Sequence, residues 1–214
     1  MLSIRKYLEW SGMIRTWMTS YLEISLAGFL QINALSANSF IRFLASAFGI
    51  IIIILNAHFP FIIWRIMKKH KFSKSLISKK YEAIVEEFRT DKIHYYYYVI
   101  IILLRRFLSA GTYVFLNGHP YYQITFLILL NVIPFLYMIG SNPFLRKTER
   151  IIHLIEETSF LVIHIIIYTL IYDNKNHIFD ENIRLSLGWL IISCCLINFV
   201  VNIGAMVINQ LASL

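Results

Sequence analysis

The sequence predicts an all-α fold: a polytopic bundle of about six transmembrane helices, with one short amphipathic helix on the cytoplasmic side. Composition is the first reason. Of 214 residues, 58% are hydrophobic and only 15% are charged, with a mean hydropathy of +0.64. A soluble domain carries about 25% charged residues. Run length is the second, because the apolar residues fall in stretches of roughly 20, the number needed to cross a bilayer. These stretches are apolar on most faces and lack the single stripe of a soluble helix.

Taken in order, the expected spans cover residues 13–35, 39–67, 94–116, 120–139, 151–172 and 185–211. They form a single transmembrane domain. Pro60 and Pro134 offer kink points in the second and fourth. Charge placement gives the third reason. Basic residues gather at Arg5 and Lys6, in the 68–93 loop (Lys68, Lys69, Lys71, Lys74, Lys79, Lys80, Arg89, Lys92), and at Arg146, Lys147 and Arg150. The alternate connections, 36–38, 117–119 and 173–182, carry only Lys175. Every basic segment thus falls on one side, and the positive-inside rule puts both termini in the cytoplasm of a multi-pass protein, with the plasma membrane as the expected location. Tyr95 to Tyr98 and Tyr121–Tyr122 stand at opposite headgroup levels, where amphipathic rings are favoured. Within the basic loop, Ile77, Tyr81, Ile84, Val85 and Phe88 recur at helical spacing, which predicts an amphipathic helix at the membrane surface or against the bundle.

Charge inside hydrocarbon costs about 2.5–3.5 kcal/mol per residue on insertion scales, so it faces protein or water. Glu23 in the first span, Arg105 and Arg106 in the third, and Glu156 and Glu157 in the fifth break the apolar rule. At 1.5 Å per residue, Glu23 and Arg105 reach similar depth, about 15 Å in, while the glutamate pair sits nearer 8 Å. An intramembrane network of these five residues is therefore expected, either locking helix packing or serving conduction. Further polar residues form stripes. Thr16, Ser20, Glu23, Ala27 and Gln31 share a face of the first span. His153, Glu157, His164 and Tyr168 share one of the fifth, and Gly188, Cys195, Asn202 and Asn209, with Asn198 beside them, one of the sixth. Gln31, Asn131, His164, Asn198 and Asn202 are the expected polar contacts at helix seams. A pore or substrate pathway is the sharper alternative.

Other chemistries find little support. No H-E-x-x-H, G-x-S-x-G, P-loop or dinucleotide fingerprint occurs, so an enzyme is not expected, nor is a metal or other cofactor. Cys194 and Cys195 are adjacent within an apolar run and match no zinc or redox spacing. The net charge of +8 sits beside the spans, where topology and anionic lipid at the 68–93 loop account for it without nucleic acid. No cleavable signal peptide is expected, since the chain reaches Arg15 before a long apolar run.

The segments SYLEISLAGFLQI (20–32), KYEAIVEEFR (80–89), LLRRFLSAGTYVFL (103–116), NPFLRKTERI (142–151) and IRLSLGWLII (183–192) carry a family resemblance across nearly the whole chain. In this order they resemble the C-terminal multispan region of large protist surface proteins described as TRP-like, that is, similar to transient receptor potential channels. The resemblance implies a channel-like or sensor-like membrane module involved in ion transport. Such proteins typically place a cysteine-rich ectodomain before the spans, which this sequence lacks, so a fragment or a stand-alone relative is expected. No connection on the outer side is long enough for a re-entrant filter, so a pore would form between helices or subunits. The alternatives are an accessory subunit of a larger membrane complex and a small transporter. The bilayer itself and a homo-oligomer or larger assembly are the expected partners.

Overall fold

The computed structural model describes residues 12–34, 39–69, 88–89 and 94–211. Among these the chain is helical apart from its turns and one antiparallel bridge. Segment α1 (12–19) leads into α2 (Tyr21–Asn33), followed by α3 (Phe40–Lys69), α4 (His94–Phe115), α5 (Pro120–Ser141), α6 (Lys147–Asn176) and α7 (Glu181–Leu211). Helices α3 to α7 are five elements long and apolar enough to cross a membrane. The first expected span appears as two consecutive helical pieces that meet at Ser20. Backbone bonds still cross the joint, from Ser20 N to Thr16 O and from Ile24 N to Ser20 O. The amphipathic helix expected over 77–88 lies outside the described residues, except for Phe88.

Helix α4 is the hub. It packs against α2, α3 and α5, while α5 packs on α6, and α6 on α7. Helix α2 wedges between α3 and α4, where Phe29 meets Phe107 and Phe115 at ring distances of 5.1 and 5.4 Å. Close approach to α3 depends on two glycines. A Cβ on Gly49 would come within 2.7 Å of Gln31 Cβ, and one on Gly28 within 2.9 Å of Ile53.

The α2–α3 seam corrects the stripe expected on the first span. The buried residues are Tyr21, Ser25 and Gly28, whereas Glu23, Ala27 and Gln31 are exposed, although the Gln31 stem touches Gly49. Pro60 supplies the physical reason. It has no N–H, so the carbonyl four residues earlier, on Asn56, loses its helical partner. Tyr21 Oη donates to that carbonyl at 2.6 Å. Asn56 Nδ2 then donates to Ser25 Oγ at 3.0 Å, and Ser25 Oγ to Tyr21 O at 2.7 Å. All three residues are fully buried.

At the basic end, Tyr98, Met138 and Phe144 form a buried cluster with Phe88 packed against it. Arg89 N donates to Pro143 O at 2.8 Å beside the Phe88–Phe144 bridge, tying the end of the long loop to the α5–α6 turn. That turn is made by Asn142, left-handed at φ 48° and donating to Met138 O, a conformation asparagine tolerates. At the opposite end, Asp173 is 1% exposed and gathers the α6–α7 turn. It accepts from Ile178 N, Phe179 N and Arg184 Nε at 2.8, 2.6 and 2.6 Å.

Candidate functional site: a charged cavity inside the bundle

Arg105 and Glu157 meet as an ion pair between α4 and α6, with side chains only 13% and 5% exposed. Helix α6 begins at Lys147, four residues before the expected start, and the two residues stand at similar distances from the starts of their helices. Ten residues of rise carry Glu157 about 15 Å in, against eleven residues and about 16 Å for Arg105. Asn131 on α5 completes the group. Its Oδ1 accepts from Arg105 Nη1 at 3.3 Å, and its Nδ2 donates to Leu127 O at 2.8 Å. A guanidinium, a carboxylate and an amide from three helices thus satisfy one another inside the bundle, which is the condition for a buried charge to persist.

Arg106 turns the other way, to α1, and Nη1 donates to Met18 O at 2.6 Å. Met18 lies two residues before the Ser20 joint, and the guanidinium satisfies a carbonyl at this interruption. Glu23 is exposed on α2 and lines the same cavity as both arginines. Glu156 stands apart from the arginines. It lies 3.0 Å from His153 Nδ1. The five expected charges therefore divide into an Arg105–Glu157 pair, an Arg106–Glu23 edge and a separate His153–Glu156 contact. The reason is that Glu156 and Glu157 are about 100° apart around α6.

The cavity holds about 220 Å³. Arg105, Arg106 and Ser109 come from α4, Asn131 from α5, and His164 from α6. Thr19 and Glu23 close it from α1 and α2. His164 is buried, and its Nδ1 lies 2.7 Å from Phe160 O. A carbonyl can only accept, so Nδ1 is the donor in this contact. Toward the basic end a second cavity of about 370 Å³ shares Thr19 and Arg106 with the first.

The remaining expected contacts lie elsewhere. Asn202 Nδ2 donates to Asn198 O at 2.9 Å along α7 itself, and Asn202 is exposed. Asn56 and Asp173, both fully buried, are the functional-looking polar residues that sequence reasoning missed. Asn56 is the lone amide of a long apolar run and stands four residues before a proline, which is a usable signal. Among the described residues, no three His, Cys, Asp or Glu side chains come together so as to hold a metal ion.

Long apolar helices around an internal ion pair define a multi-pass α-helical membrane protein. No family model, curated protein or solved structure matches the chain.

Proposed function

We propose that the chain is a channel-like membrane module in which the charged cavity forms part of a pathway for a small polar or charged solute. One observation carries this reading. A space of about 220 Å³ bordered by Glu23, Arg105, Arg106, Asn131 and His164 lies between the helices and shares Arg106 and Thr19 with a larger space toward the basic end. A pair that only locked helices together would be packed dry; Arg105, Arg106 and Ser109 instead border room for several water molecules. The resemblance to TRP-like surface proteins agrees with this reading, with α1 and α2 together as the sixth crossing, both termini in the cytoplasm, and assembly into an oligomer. The proposed pathway would run beside α4 without a filter loop.

An accessory-subunit role is favoured by a different observation. Along its apolar window α7 buries nothing, and it leaves Ser193 and Asn202 exposed. Flux of ions through liposomes containing the purified chain separates the two readings. Flux that falls in Arg105→Ala and in Ser109→Leu, which fills the cavity, supports a pathway. Silent wild-type liposomes, with the chain recovered from native membranes in a larger complex, reject it.

A further inference from the structure

The geometry points to a binding site in the first cavity for a small zwitterionic solute of the amino-acid type, its carboxylate toward Arg106 and its ammonium toward Glu23. This inference deepens the reading above and rests on it in one respect, that the cavity admits a solute. The charges decide the class. Arg105 is held by Glu157 and Asn131, so that pair adds no net charge to the space. Arg106 keeps its charge. Its hydrogen bond among the described residues runs to a neutral carbonyl, Met18 O, and leaves its other N–H groups for a ligand. Glu23 lines the same cavity, and among the described residues its carboxylate takes part in no hydrogen bond or ion pair. Opposite charges therefore border one space without meeting.

A solute with a single charge answers only one of the two. An anion would reach Arg106 and be repelled by Glu23, and a cation would meet the reverse. A solute carrying both charges a few bonds apart is held at either end, by charge-assisted hydrogen bonds of about 2.8 Å. The rest of the wall suits the same class. Ser109 lies on the Arg105–Arg106 face of α4, and its hydroxyl makes no bond among the described residues, so it is free to donate to the carboxylate. Leu22, Leu127 and Phe160 give an apolar side for a hydrocarbon substituent. Pockets for drug-sized ligands run to about 300–1,000 Å³, so about 220 Å³ restricts that substituent to a short one.

The test measures equilibrium binding of radiolabelled L-alanine to the full chain in detergent, with acetate and methylammonium as competitors carrying one charge each. Wild-type protein is expected to bind alanine, and each competitor to displace it at least about tenfold less well than unlabelled alanine does. Glu23→Gln is expected to weaken alanine about tenfold and to bring acetate level with it, whereas Glu181→Gln, at the start of α7, changes neither. Glu23 is exposed and bonded to nothing among the described residues, so its variant folds even if Arg106→Gln does not. No alanine binding by the wild type, acetate binding as tight as that of alanine, or undiminished alanine binding in Glu23→Gln overturns the assignment. Ion flux through liposomes tests the pathway separately. Alanine binding by a protein silent in flux rejects the pathway and keeps the site, and flux without alanine binding rejects the site and keeps the pathway.

Discussion

Removing the Arg105 guanidinium leaves Glu157 charged, buried and without its cation. Arg105→Ala is therefore expected to destabilise the protein by about 3–5 kcal/mol, and the double variant Arg105→Leu/Glu157→Leu by markedly less. Unfolding in mixed micelles measures both, and a double-mutant cycle with no coupling would sink the ion pair. The Tyr21 hydroxyl has a narrower task. Tyr21→Phe should cost about 1 kcal/mol, and that cost should vanish in a Pro60→Ala background, where residue 60 regains an N–H for the Asn56 carbonyl. An equal cost in both backgrounds refutes the compensation. At this scale the sequence was partly legible. Arg105 and Glu157 stood out because charge is rare in an apolar run, although the expected depths matched Arg105 with Glu23 and left Glu157 shallower. Asn56 and Tyr21 did not stand out, because a helix apolar on almost every face has no stripe to reveal which residue turns toward its neighbour.

Close contact between whole helices rests on two glycines, and the others differ in kind. At Gly49 an added side chain collides with Gln31 Cβ and with the Gly28 carbonyl, neither of which can swing away. Gly49→Val is expected to cost about 2 kcal/mol and to loosen α2 from α3. Gly188→Ala and Gly204→Ala, which meet nothing within 4 Å, should change stability by less than about 0.5 kcal/mol. Similar losses at all three positions would show that helix propensity, not approach, decides. Helix positions were legible to within a few residues, since length and polarity mark where hydrocarbon ends. The largest differences, of four residues, fell at both ends of α6 and at the start of α7. Lys147, Glu149 and Arg150 read as loop, yet all lie within α6, four residues longer at its start than apolar content alone suggests. Those residues project the helix beyond the apolar stretch.

For the molecule as a whole, alternating basic and neutral connections give a topology that can be checked directly. With Cys194 and Cys195 replaced by alanine, a cysteine at Gly118 should react with an impermeant thiol reagent applied to intact cells. One at Leu145 should react only after permeabilisation, and the reverse pattern rejects the proposed orientation. The overall class was legible because hydrocarbon imposes one demand on every backbone group, and only helices or closed barrels meet it. The arrangement of the helices around α4 was not, since packing between apolar surfaces in lipid depends on shape at a few small residues. The Tyr21–Asn56 contact also bears on biogenesis. On leaving the ribosome, α3 carries a gap in its hydrogen-bond ladder that only a side chain from the preceding segment fills. A chain made without that segment would leave the Asn56 carbonyl without its Tyr21 donor inside an apolar helix.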